Sequence, residues 1–224
     1  MSMIHFDNVS KDYPGIAGAL VEVNLRVASG ELLFLTGPSG AGKSTLLKLI
    51  AAIEKPSSGA VLVGSQDIGH LRPAALPYLR RKLGLIFQQQ RLLADRSVAA
   101  NVMLPLLVTG TSRNEAHKRS LLALEKVGLM HKAAHAPATL SGGEQQRATI
   151  ARAIVHQPQI ILADEPTANL DRAAALGVLE LLRDFNRAGV TCLVATHDRH
   201  FLGPGDRMVE LANGRITDSQ RSAP

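Results

Sequence analysis

Tryptophan is absent and only 3% of the 224 residues are aromatic, so any core must come from aliphatic members of the 46% apolar fraction. A single cysteine, Cys192, excludes an internal disulfide and fits a reducing compartment. It lies in the apolar run 190–195, which reads as a buried, inert thiol. No apolar stretch approaches the roughly 18 residues that a spanning helix needs. Residues 1–7 carry no signal pattern either. The expectation is a soluble protein whose membrane role, if any, runs through a partner. Negative charge is also scarce: 25 Lys and Arg face 19 Asp and Glu, for a net +6. The cations are scattered, with small clusters at Arg80-Arg81-Lys82 and across 113–119. No aromatics interleave with them, so no nucleic-acid module is recognisable and no nucleic-acid partner is expected. A solvated basic face suits acidic ligands or an anionic surface.

The length is long for one domain and short for two. From Val21 the chain alternates, with Val21, Val23, Leu25 and Val27 on one face and Glu22, Asn24 and Arg26 on the other. That predicts a half-buried antiparallel strand, and Ile4 and Phe6 hint at another before it. Residues 31–36 are almost continuously apolar, as in a parallel strand covered on both faces. A helix is expected over 43–53, strands over 61–68 and 83–87, and helices over 98–107 (interrupted by Pro105) and 113–127. In the last, Ala116, Leu121, Leu124 and Val127 approximate a helical stripe. The helical stretch, about 89–140, reads as an insert within a single domain, 1–224. Ser141 is placed to cap a helix reaching Val155, ended by Pro158. Strand 159–163, helix 173–187 and strand 190–196 follow. Asn213-Gly214 predicts the tight turn of a terminal hairpin. The chain stops soon after, so no appended regulatory domain is expected. Strand–helix alternation argues for an α/β layered fold.

Three segments carry chemistry. Gly37-Pro38-Ser39-Gly40-Ala41-Gly42-Lys43-Ser44 fits the phosphate-binding pattern G-x-x-x-x-G-K-S in full, between a predicted strand and a predicted helix. Its backbone N–H groups face phosphate oxygens at the positive end of a helix. Lys43 then reaches the terminal phosphates, and the Ser44 hydroxyl is a ligand for Mg²⁺. Asp164 closes an apolar strand, where its carboxylate can hold the Mg²⁺ shell. Glu165 follows, pointing differently, and can polarise a water for in-line attack. In the run Leu140-Ser141-Gly142-Gly143-Glu144-Gln145 a hydroxyl and exposed N–H groups open a helix and make another anion site. A plain helix cap accounts for Ser141, but not for the two glycines or Glu144-Gln145. Gln88 and His197 end strands and can meet Mg²⁺, the attacking water or the γ-phosphate. As lone residues they equally suit ordinary polar positions, as Tyr13 beside Pro14-Gly15 suits a packed turn. One chain has one phosphate loop and one Ser-Gly-Gly turn. A two-fold pair would set each turn against the other's γ-phosphate.

With these motifs in this order, the whole chain resembles the ATP-binding subunits of ABC (ATP-binding cassette) systems. The resemblance implies a P-loop NTPase nucleotide-binding domain with a parallel core sheet, an N-terminal antiparallel β-subdomain and an inserted helical subdomain. It implies ATP hydrolysis with Mg²⁺. Tyr13 then stacks on adenine, and the loop from Gly37 to Thr45 binds phosphates. Gln88 and Asp164 join Ser44 at the metal. Glu165 is the catalytic base, with His197, Gln88 and Lys43 beside it. Ser141, Gly142, Gly143, Glu144 and Gln145 form the signature that acts on the partner's nucleotide. Asn169-Leu170-Asp171 resembles the loop that crosses the dimer. The partners implied are a second copy of the chain and an integral membrane protein docked between Gln88 and Pro105, at the cytoplasmic face of a bacterial inner membrane. Residues 45–50 and 87–110 are similar to the cell-division branch of the family, whose ATPase governs peptidoglycan hydrolysis. The lipoprotein-release and macrolide-export ATPases are the alternative, since they share every catalytic motif. Departures are small: Gln89-Gln90 follows Gln88 where an acidic neighbour is more usual, and Ala168 stands where Gly or Ser is common.

Overall fold

The computed structural model of the protein describes residues 2–87, 92–203 and 205–221. The chain opens with a long hairpin, β1 (Ser2–Tyr13) and β2 (Ile16–Ala28). Sequence alternation places the start of β2 at Val21, but the strand begins at Ile16. Glu22 adopts φ 50°, which slips the register. Leu20 and Val23 are therefore both buried while Val21 is only half-buried. Next come β3 (Leu32–Thr36) and α1 (Lys43–Ile50). The helix stops short of the expected residue 53. Ala52 turns left-handed at φ 50°, its N–H donates to Leu49 O and that of Ile53 to Lys48 O, both at 3.0 Å. That is a Schellman end with alanine where glycine is usual, so helix-forming composition concealed it.

The expected single strand over 61–68 is a hairpin, β4 (Ser58–Val63) and β5 (Gln66–Asp67), turning at Gly64. A short α2 (Leu76–Arg80), not anticipated, precedes β6 (Leu83–Ile86). Two helices follow, α3 (Val98–Val108) and α4 (Arg113–Lys126). α3 runs past Pro105, where an interruption was expected. Its buried face of Val98, Val102 and Leu106 holds it against the proline's missing N–H. The remaining elements are α5 (Gly142–Ile154), β7 (Ile160–Asp164), α6 (Arg172–Arg187), β8 (Thr191–Ala195), β9 (Arg207–Ala212) and β10 (Arg215–Arg221). Asn213 and Gly214 turn the last hairpin with φ 49° and 75°, as an Asn-Gly turn should.

The strands make an antiparallel sheet ordered β2-β1-β4-β5 and a larger sheet ordered β10-β9-β3-β8-β7-β6. In the larger sheet every neighbour pair is parallel except the terminal β9–β10 hairpin. Period-two alternation divides its side chains between two cores. Leu33, Leu35, Ile160, Leu162 and Leu193 pack towards α1 and the antiparallel sheet. Phe34, Ile161, Ala163, Cys192 and Val194 pack towards the helices α3 to α6. Both faces are covered, which is why these strands read as unbroken apolar runs. Cys192 is fully buried, and burial pushes its thiol up to about 12, so it is inert as expected.

The parallel order has one functional consequence. β3, β8 and β7 are adjacent and end on the same edge, so Gly37, His197 and Asp164 emerge side by side. That edge is where ligands bind in open α/β sheets.

Candidate functional site

The loop after β3 is shaped by steric exclusion. Gly37 has φ 137°, and a Cβ there would lie 2.1 Å from Leu211 O. At Gly42, with φ 105°, it would meet Ala19 O at 2.6 Å. Only glycine fits either place, so the loop is pressed between β2 and the β9–β10 hairpin. Lys43 is almost fully buried, and its Nζ donates to Gly37 O at 2.7 Å and Pro38 O at 3.0 Å. The ammonium thus stands inside the loop that its own N–H groups would offer to an anion.

The two carboxylates diverge because Glu165 has φ 47°. Such a left-handed residue costs of order 1–2 kcal/mol outside glycine. The kink is held by its N–H, which donates to Ala195 O at 2.9 Å. Asp164 faces α1, where the Ser44 hydroxyl donates to its Oδ1 at 2.9 Å. Burial pushes its carboxyl above the usual carboxylate range, against the pull of that hydrogen bond. The pair offers hard oxygen donors of the kind Mg²⁺ takes. Among the described residues no cluster of three or more His, Cys, Asp or Glu could hold a metal by itself. The set fits a cation shared with a phosphate ligand rather than one caged by protein.

Glu165 turns the other way. Its Oε1 is 3.6 Å from Lys43 Nζ and its Oε2 accepts from His197 Nδ1 at 2.9 Å. With Nδ1–H committed to the carboxylate, His197 can donate from Nε2 only as the imidazolium. Lys43, Glu165 and His197 form one chain of charge-assisted contacts.

Residues 38–45, Tyr13, Glu165 and His197 line a single cleft of about 660 Å³. From the β1–β2 hairpin, Tyr13, Ile16 and Ala19 line it as well. The last two escaped sequence reasoning. The Pro14-Gly15 turn was the available signal, because it pairs Ile16 directly with Tyr13. Lys11 Nζ sits 4.8 Å from the Tyr13 ring centroid. Gln88 lies outside the described residues.

The Ser-Gly-Gly turn belongs to a different cleft. Ser141, Gly142, Gly143 and Glu144 line a space of about 690 Å³ with Arg147, Asn169, Leu170 and Asp171. It shares no lining residue with the first cleft. Of the residues picked out by sequence, Tyr13, 38–45, Glu165 and His197 line the first cleft and Ser141–Glu144 and Asp171 the second, while Gly37, Gln145 and Asp164 line neither.

Local structure also explains more of this segment than sequence suggested. Glu144 Oε2 accepts from Ser141 N at 2.8 Å, while Glu144 N donates to Ser141 Oγ at 3.3 Å, a complete capping box. The Ser141 N–H bond holds the Glu144 carboxyl below the usual range. Gln145 Nε2 donates to Leu140 O at 3.1 Å. A Cβ on Gly143 would press on Ala174 Cβ at 2.9 Å, so that glycine admits α6 against α5. At Gly142 it would meet Leu170 Cδ2 at an ordinary 3.7 Å. Packing within the chain therefore does not require Gly142 to be glycine. Asp171 likewise caps α6, its Oδ1 accepting from Ala174 N at 2.8 Å. We expect Glu144→Ala to destabilise the fold by about 0.5–1 kcal/mol. Thermal denaturation should show a lower Tm for Glu144→Ala than for Glu144→Gln, which can keep the bond; equal values would remove the capping role.

Three comparisons bear on this arrangement. The ABC transporter family profile matches residues 20–168. The cell division ATP-binding protein FtsE of Escherichia coli strain K12 is 50% identical over 215 residues, 96% of this chain and 97% of that one. The lipoprotein-releasing system ATP-binding protein LolD of a Shewanella species is 41% identical over 219 residues, 96% of this chain and 95% of that one. Among solved structures, a dimeric ATP-binding cassette in a post-hydrolysis state with ADP and Pi superposes with TM-score 0.89 at 36% identity, covering 99% of this chain and 100% of that one.

Proposed function

Since this chain belongs to the ABC transporter family and is an ABC-type ATPase, we propose that it is the ATP-hydrolysing subunit of an inner-membrane cell-division complex. It works as an ATP-bound homodimer on the cytoplasmic face and drives an FtsX-type integral partner that regulates peptidoglycan hydrolysis. No described helix is long and apolar enough to cross a membrane, so the membrane part falls to that partner, docked between Gln88 and Pro105.

The observation that supports the dimer is that the phosphate loop and the Ser-Gly-Gly turn line two clefts with no residue in common. A nucleotide in the phosphate-loop cleft of one copy meets the Ser-Gly-Gly cleft of the other. Tyr13 stacks on the base, and residues 37–45 take the phosphates. The γ-phosphate displaces the Lys43 ammonium from the carbonyls of Gly37 and Pro38, and Lys43 then pairs with it. Glu165 takes a proton from the attacking water, held in position by His197. Gln88 joins them at the γ-phosphate. From the partner come the Ser141 hydroxyl and the turn's N–H groups. Because Ser141 Oγ already accepts from Glu144 N, its own hydrogen is free to donate. Ser44, Asp164 and Gln88 are the groups assigned to Mg²⁺, which when bound neutralises charge on the phosphates.

Cell division is favoured by the 50% identity to FtsE over almost the whole chain. Lipoprotein release is the second reading, favoured by the 41% identity to LolD over a similar span. Depleting the protein in its own host separates them. Undivided, filamentous cells with normal lipoprotein sorting are expected; lipoproteins retained in the inner membrane with normal division would overturn the cell-division role.

A further inference from the structure

Tyr13 ends β1 and lines the same cleft as the phosphate loop. The backbone beside it is pinned, since Asp12 N donates to Ser57 Oγ at 2.9 Å and Asp12 Oδ1 accepts from Gly18 N at 2.6 Å. The ring is not held through its hydroxyl, which is buried without a hydrogen-bond partner among the described residues. An aromatic side chain in that position chooses among rotamers unless something engages its face. Lys11 does so. Its Nζ lies 4.8 Å from the ring centroid, within the range of a cation–π contact. The ammonium is fixed in turn: it donates to Lys55 O at 2.9 Å and pairs with Glu54 Oε2 at 2.9 Å. Only 12% of the Lys11 side chain is exposed, and shielding from water strengthens such a contact. Neither Lys11, Glu54 nor Lys55 lines the cleft, so the cation supports the ring from outside the space a base would fill. Of the three cation–π contacts among the described residues, this is the one that engages a ring of that cleft. Both ends of α1 thus serve one ligand space. Lys43 begins the helix at the phosphate loop, and the left-handed turn at Ala52 sends the chain on to Glu54 and Lys55.

We propose that Lys11 is a positioning residue for the nucleotide base: its ammonium, anchored by Glu54 and the Lys55 carbonyl, holds the Tyr13 ring in the plane on which the base stacks. The inference rests on the reading of Tyr13 as the base platform and names what makes that platform rigid. The benefit is pre-organisation. A ring that occupies its stacking rotamer only part of the time weakens base binding in proportion to that fraction. A ring already clamped from behind loses little further freedom when the base arrives. Lys11 touches neither the phosphate loop nor the carboxylates in this arrangement, so its effect is confined to ligands that carry a base.

The test titrates the full chain with Mg²⁺-ADP by calorimetry, with inorganic tripolyphosphate, which has no base, as competitor. Lys11→Met keeps the apolar stem and removes the charge. It should weaken ADP binding by about threefold to tenfold and leave tripolyphosphate binding at the wild-type value, which also reports an intact fold. The KM for ATP should rise in step with kcat unchanged. Lys11→Arg keeps a cation for the ring and should retain most of the affinity. Lys11→Met/Glu54→Gln should bind ADP as weakly as Lys11→Met alone, because the loss comes from the ring and not from a carboxylate left unpaired. Wild-type ADP affinity in Lys11→Met, with affinity lost in Tyr13→Ala, overturns the proposal. So does an equal loss for ADP and tripolyphosphate, or recovery in the double variant. If Tyr13→Ala itself binds ADP normally, the base-stacking reading falls, and this inference with it.

Discussion

Glu165→Gln is expected to lower steady-state ATP hydrolysis by about 10²–10⁴-fold, the usual contribution of a positioned general base. The substitution keeps shape, and its amide oxygen can still accept from His197 Nδ1, now 2.9 Å from Glu165 Oε2. What is lost is proton affinity and the negative charge 3.6 Å from Lys43. Nucleotide should therefore stay bound while cleavage stops, and dimer should accumulate with ATP, as read by size exclusion with light scattering. Unchanged turnover would remove Glu165 from the chemistry. Turnover lost without any ATP-dependent dimer would leave the base in place and count against the shared site.

The second large effect concerns that sharing. Lys43→Ala removes a nearly buried ammonium from the phosphate loop and should cost about tenfold to a hundredfold in nucleotide affinity, on the scale of a hydrogen bond to a charged group. Ser141→Arg places a bulky side chain at the exposed mouth of the other cleft. Each variant alone should be nearly inactive. Mixed in equal amounts, about half the dimers pair one of each, and every such pair retains one composite site. Up to about a quarter of wild-type activity should return if the sites act independently. No recovery at any ratio, with heterodimers present, would contradict the two-copy arrangement.

Much of this site was legible because its parts are local in sequence. The phosphate loop is a run of neighbours between β3 and α1, and Asp164-Glu165 closes an apolar strand. The covered parallel sheet was legible for a related reason, since double burial leaves strands such as 32–36 without polar alternation. Other features depended on backbone states that composition does not announce. Ala52 ends α1 in a conformation usually left to glycine, and Glu22 slips the register of β2 by the same means. The bonds of Glu144 to Ser141 and of Gln145 to Leu140 were not legible either, because residue type does not say which side chain turns back onto its own backbone.

The stretch between Glu165 and Asp171 has a kinetic corollary. It begins in the phosphate-loop cleft and ends in the Ser-Gly-Gly cleft, with left-handed residues at Glu165 and Asn169 fixing its course. In a two-fold pair, each such strap spans from one bound nucleotide to the other. Cleavage on one side then alters the walls around the second ATP through a few covalent bonds rather than through the whole interface. Hydrolysis should rise sigmoidally with ATP concentration, and heterodimers with a single working site should run below their statistical share.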